Sequence, residues 1–184
     1  MEYDGGPAFM ALTRQAVPHI DRERYAAAEG LRRGAYILAE AEGGEPRLII
    51  LATGSEVALA LEARETLQDE GVPTRVVSVP SCVLFERQSR EYQQEVLPRE
   101  IRARIAIEAA SPASWHRLTG LDGDIVGISR FGESAPAKKI FEELGISTAN
   151  LVARARLLLG GSGVGGEETG LAAAGPTRHG VDEH

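Results

Sequence analysis

The chain has 184 residues, enough for one main domain with a full hydrophobic core, and its 43% hydrophobic and 26% charged content matches a folded globular protein. A formal net charge of -7 without any stripe of Lys and Arg argues against nucleic acid as a partner. The longest apolar run, Leu48 to Ala52, is far short of a membrane span, and the single cysteine, Cys82, excludes an intrachain disulfide and fits a reducing compartment, so the expectation is a cytoplasmic protein.

In chain order, Ala8 to Thr13 is an apolar run between Gly5-Gly6-Pro7 and Pro18, which predicts a short buried strand without a partner nearby in sequence. Pro18 to Arg33 is charged and reads as a connector, so a domain boundary is expected there. From Ala35 strands and helices alternate. Ala35–Ala39, Arg47–Ala52, Thr74–Val79, Arg104–Glu108 and Asp124–Ile128 are aliphatic or β-branched runs that predict five strands buried on both faces, the pattern of an α/β fold. The first two are separated only by Glu40 to Pro46, too short for a helical crossover, which predicts an antiparallel hairpin.

Helices are expected at Ser55–Glu70, around Leu84–Val96, near Pro112–Leu118, at Ala135–Leu144 and from Thr148 to about Leu159. Ser55 is the expected N-cap of the first and Gly71 its stop; Val57, Ala60, Leu61 and Arg64 to Leu67 place its apolar stripe on one side. From Gly160 to His184 the chain is glycine-rich and poor in large apolar residues, so it is expected to be a disordered tail. His179 and His184 lie in it at no metal-ligand spacing.

Five features invite a chemical reading. Thr53-Gly54-Ser55-Glu56 leaves a strand and opens a helix, as a phosphate-binding turn would, but one glycine and no following Lys favour simple capping. Cys82 has no nearby His and reads as a small buried hydrophobe rather than a nucleophile. His116, after Trp115, has no acidic or metal-binding partner at helical spacing and reads as a structural or interface histidine. In Arg130-Phe131-Gly132-Glu133-Ser134-Ala135-Pro136, Ser134 and Pro136 are helix-start signals. Arg14 follows the apolar run, where an arginine's fork of donors can face a phosphate, although a solvated arginine is the default.

Two of these segments resemble a known family. Ala11-Leu12-Thr13-Arg14-Gln15-Ala16-Val17-Pro18 is similar to the transketolase segment L-[ST]-R-Q-x-[VL]-P, and residues 130–136 are similar to its R-F-G-x-S-A-P, in the family's order and separation. Between them Leu51-Ala52-Thr53-Gly54-Ser55-Glu56-Val57, Arg75-Val76-Val77-Ser78-Val79-Pro80 and Ser114-Trp115-His116-Arg117 also resemble its C-terminal domain, so the likeness spans residue 7 to about 158. Ser81-Cys82-Val83-Leu84-Phe85 and Glu133 depart from the family pattern without touching its chemistry.

The resemblance implies a three-layer α/β/α domain with a five-stranded mixed sheet and one antiparallel strand. It divides the chain into the end of a pyrimidine-binding domain (1–20), a linker (21–33), the C-terminal domain (34–159) and the tail (160–184). It implies descent from an enzyme that transfers a two-carbon ketol unit between phosphosugars in the pentose phosphate pathway, using thiamine diphosphate and a divalent metal such as Mg. Arg14 matches the arginine that grips the substrate phosphate. The family's metal and diphosphate motif, Gly-Asp-Gly followed by Asn, is not in the sequence, nor is the middle-domain acid that activates the cofactor. No catalytic, cofactor or metal residue is therefore expected on this chain, which alone should be inactive. The implied partners are a homodimer of the parent enzyme or a chain carrying the two missing domains. The alternatives are a non-catalytic binding or assembly module, or the equivalent domain of a related thiamine enzyme such as a pyruvate dehydrogenase beta subunit or deoxyxylulose-phosphate synthase.

Overall fold

The computed structural model describes residues 7, 9–13, 16–131 and 136–161. Its centre is a five-stranded sheet: β1 (Tyr36–Ala39), β2 (Leu48–Ala52), β3 (Thr74–Ser78), β4 (Arg104–Ile107) and β5 (Asp124–Val126), in the order β1-β3-β2-β4-β5. All five expected strands are present, each within a residue or two of its expected bounds. β2 is central because it is apolar throughout: all five of its residues are buried, and it pairs in parallel with both β3 and β4.

Alternation along β2 divides the core in two. Leu48, Ile50 and Ala52 face one layer with Val76, Ile105 and Ile107, covered by α1 (Val57–Asp69) and α6 (Thr148–Gly161) through Ala60, Ala63, Leu67, Leu151 and Ala155. Ile49 and Leu51 face the other with Val77 and Ala106, covered by α2 (Cys82–Glu86), α3 (Arg90–Val96) and α4 (His116–Thr119) through Phe85, Val96 and Leu118. The result is the expected three-layer α/β/α arrangement with one antiparallel strand.

The expected hairpin is not formed. β1 runs opposite to β2, but β3 lies between them, and among the described residues β1 pairs only with β3. The eight-residue span 40–47 is long enough to step over one strand, and two buried arginines hold it there. Arg64 donates to the Glu40 and Thr74 carbonyls and to Glu42 Oε1, while Arg75, on β3, donates to both Glu40 carboxylate oxygens at 2.8 Å. A short connection sets the direction of β1 but not its neighbour.

The predicted strand at 8–13 is also corrected. Its described residues, 9–13, have no strand structure, and Phe9, Met10 and Leu12 are exposed at 94, 62 and 78%. A strand needs a neighbour for its backbone hydrogen bonds, and each pairing of this sheet is among β1 to β5. The segment after it is more than a connector. Ile20, Tyr25 and Leu31 pack against the first core layer, Ala26 N–H donates to the Leu38 carbonyl, and Tyr25 Oη donates to Glu65. The β1–β3 register shifts by one residue between Ile37 and Ala39, so the docked segment covers β1 where its ladder is irregular.

The single helix expected around Leu84–Val96 is two, because two serines cap separately. Ser81 Oγ accepts from Leu84 N–H and Ser89 Oγ from Tyr92 N–H. α5 (Ala137–Glu143) begins directly after Pro136, two residues later than the expected start at Ala135, so the proline precedes the first turn rather than lying in it. Ser134, its expected cap, lies outside the described residues. α6 runs on through Gly160 and Gly161, so two residues assigned to the tail close a helix; residues 162–184 lie outside the description.

Candidate functional site

Arg14, the one site residue expected from the sequence, lies outside the described residues, as do Gly132 to Ala135 of the second motif. Of that motif's flanks, Phe131 is 96% exposed. What the fold does assemble is a set of polar groups at the carboxyl ends of β2, β3 and β4, the edge where open α/β sheets present their loops.

The turn after β2 places Gly54 at φ +55, a backbone conformation that favours glycine, and starts a short 3-10 turn, Gly54–Glu56, that leads into α1. Ser55 is not the helix cap. Neither this turn nor α1 has a side-chain cap, and Ser55 Oγ instead donates to Glu56 Oε1 at 2.7 Å. Glu56 is the informative residue. It is only 4% exposed, and its Oε2 accepts the N–H of Ala109, just past the end of β4. A buried carboxylate satisfied by a neighbouring strand end ties β2 to β4. Its negative charge also opposes the phosphate-turn reading of residues 53–56.

The loop after β4 continues with Glu108, whose Oε2 accepts from the Trp115 indole Nε1 at 2.5 Å and so anchors the only tryptophan, itself 2% exposed. Cys82 stands half-buried at the start of α2. Burial pushes its thiol up from the ordinary value, with Glu86 and Glu108 adding to the effect, so the neutral form is favoured. That agrees with the small-hydrophobe reading. His116 is exposed, and its imidazole has no hydrogen-bond or ion-pair partner among the described residues.

Taken together, these groups position loops and donate or accept within the protein. Among the described residues no group of three or more His, Cys, Asp or Glu side chains could hold a metal ion, and no helix is long and apolar enough to cross a membrane. Sequence reading placed Glu56 in a helix's first turn and missed its burial. A charged residue between Ser55 and Val57 looks solvated until β4 is laid beside β2.

Comparisons with known proteins give this edge its context. Residues 34–147 match the family model described as the transketolase-like C-terminal domain. The transketolase of Aquifex aeolicus is 47% identical over 146 residues, covering 79% of this chain and 21% of its own length. The transketolase of Pichia stipitis, solved in complex with sedoheptulose-7-phosphate, superposes with a TM-score of 0.70 at 31% identity, covering 80% of this chain and 20% of that one. A split-gene transketolase, solved as an inactive β4 tetramer, superposes with a TM-score of 0.60 at 25% identity over 80% of this chain and 48% of its own. The chain thus spans about a fifth to a quarter of the curated relatives it matches. With the sheet order, the antiparallel edge strand and these identities in agreement, the chain belongs to the transketolase family, of which it carries the C-terminal domain.

Proposed function

We propose that this domain serves an enzyme that moves a two-carbon ketol unit between phosphosugars, and that Arg14 grips the substrate phosphate. The 47% identity to the Aquifex aeolicus transketolase across 146 residues carries the reading. In this reading the protein is cytoplasmic and works as a dimer in the pentose phosphate pathway. Thiamine diphosphate supplies the electron sink for the transferred carbanion when bound. The family's Gly-Asp-Gly motif followed by Asn is not in this sequence, so the reading assigns the diphosphate and Mg to the two domains that precede this one in the family.

What this chain supplies is support and binding. The Glu56 and Glu108 contacts hold the loops at the carboxyl edge of the sheet, and the Arg14 fork would meet the phosphate remote from the reacting carbons. The test uses the chain combined with its two preceding domains. Arg14→Ala removes charge-assisted bonds of about 1.5 to 3 kcal/mol, a tenfold to hundredfold loss in kcat/KM with phosphosugars and little with unphosphorylated analogues. Equal losses with both would make Arg14 structural.

A second reading is favoured by the split-gene relative, of which this chain covers 48% rather than a fifth. There the chain acts as an assembly module that completes an enzyme built from two polypeptides. Mixing it with a chain carrying the other two domains should then yield a stable complex on sedimentation and restore ketol transfer. Two non-interacting species would remove this reading while leaving the family assignment intact.

A further inference from the structure

The far end of the sheet from Glu56 and Glu108 holds a feature that the ketol-transfer reading does not use. A cavity of about 380 Å³ opens where β4 begins, between α3, α4 and the loop leading into Arg104. Four arginines line it, Arg90, Arg99, Arg104 and Arg117, and no acidic side chain does. Its apolar wall comes from Phe85, Leu97 and Leu118, each under 8% exposed.

The grouping of charge makes this cavity unusual for its chain. Acidic residues outnumber basic ones, 27 to 20, and several arginines elsewhere are matched to them: Arg75 to Glu40, Arg102 to Asp122, Arg154 to Asp124 and Arg156 to Glu70. Here Arg90 and Arg99 are exposed with no ion pair or hydrogen bond to their side chains. Arg104 is half-buried and fixed by donating to the carbonyls of Ile101, Leu118, Leu97 and Pro98. None of those bonds neutralises its charge. Glu86 is paired with Arg117, Glu100 accepts from Gln94 and lies close enough to act on Arg104, and Asp122, which lines the adjoining cleft with Arg99 and Arg104, is paired with Arg102. The cavity lining itself carries four cations and no acid, positive charge beside a low-dielectric wall, where a field is concentrated rather than screened.

We propose that this cavity binds a small organic phosphate, the phosphate on the guanidinium forks and the organic part against Phe85, Leu97 and Leu118. Arginine forks match phosphate oxygens two at a time, and the volume falls in the range of small-molecule sites and exceeds what a bare phosphate fills. The proposal makes no use of Arg14 and does not depend on its assignment.

The experiment titrates the full 15N-labelled chain with phenyl phosphate, inorganic phosphate and phenol at constant ionic strength, reading amide shifts. Phenyl phosphate is expected to saturate, with shifts confined to residues 84–104 and 115–120, at least about tenfold more tightly than inorganic phosphate, while phenol does not bind. The exposed pair Arg90→Ala with Arg99→Ala should weaken it about tenfold or more, and Arg22→Ala with Arg32→Ala, the same charge change on the connector, should not. Failure to saturate by about 10 mM, shifts centred elsewhere, or equal weakening by both double variants would overturn the proposal. Should the first double variant not fold, the location of the shifts in the unaltered chain decides alone.

Discussion

Replacing Arg75 by Met should destabilise the domain by about 2 to 4 kcal/mol, far more than a surface ion pair is worth. The Arg75 side chain is 8% exposed, its Nε and Nη2 reach both oxygens of Glu40, and its Nη1 donates to the carbonyls of Glu95 and Val96 at 2.8 and 3.0 Å. Met keeps the apolar stem but has no donor. Glu40 is 52% exposed and returns to water, so loss of the pair itself costs only about 1 kcal/mol. Val96 is 1% exposed, and its carbonyl, left unpaired with that of Glu95, supplies the remaining 1 to 3 kcal/mol, roughly. Glu40→Ala acts differently, leaving a buried guanidinium without its anion, at about 1 to 3 kcal/mol. The double variant should cost less than the sum by about 1 kcal/mol, since both remove one interaction. Urea unfolding followed by the fluorescence of Trp115, 2% exposed, measures all three. Hydrogen exchange should quicken first in β1, whose connection this network holds. A cost under about 0.5 kcal/mol for Arg75→Met, or strict additivity, would refute the reasoning.

Gly34→Ala should lower stability sharply, because Gly34 sits at φ +86 and an added Cβ would lie 2.3 Å from Phe85 N and 2.4 Å from the Ser81 carbonyl oxygen; Gly43→Ala, at φ +82 in open space, should cost only about 1 kcal/mol. Comparable melting temperatures for the two variants would contradict this. Iodoacetamide should label Cys82 more slowly than a free cysteine near pH 8, and urea should restore the rate, since burial first and then Glu86 and Glu108 hold the thiol above its ordinary value of 9.0. The folded state keeps that proton, so its contribution to stability is complete below pH 9.0 and is lost as pH rises through the elevated folded value. Arg156 holds the Glu70 carboxyl below its ordinary 4.5, chiefly by hydrogen bonding, so this contribution is present above pH 4.5 and is lost as pH falls through the depressed value. Arg156→Ala should therefore flatten the fall in melting temperature below pH 4.5, and an unchanged slope would show the pair to be without effect.

The strands were legible in the sequence because each is a short aliphatic run cut off by glycine, proline or charge, and a run such as Leu48 to Ala52 can be satisfied only by burial on both faces. The family was legible for a different reason: the segments around Arg14 and Arg130 are specific as strings, whatever their surroundings. Properties of one residue among its distant neighbours were not legible. Ser55 reads as a cap, yet its hydroxyl turns to Glu56 because Ala109 draws that carboxylate inward from 53 residues away. The order of β1 and β3 is held by Arg64 and Arg75, whose partners around Glu40 a linear reading does not supply. The arginines around the β4 cavity lie between positions 90 and 117 without forming any stripe. Local pattern thus determined which segments became strands and helices, since hydrophobic period and caps act over a few residues. The tertiary structure alone decided which strand adjoins which, and where each charge is buried or left without an anion, because those outcomes are settled by contacts between residues tens of positions apart.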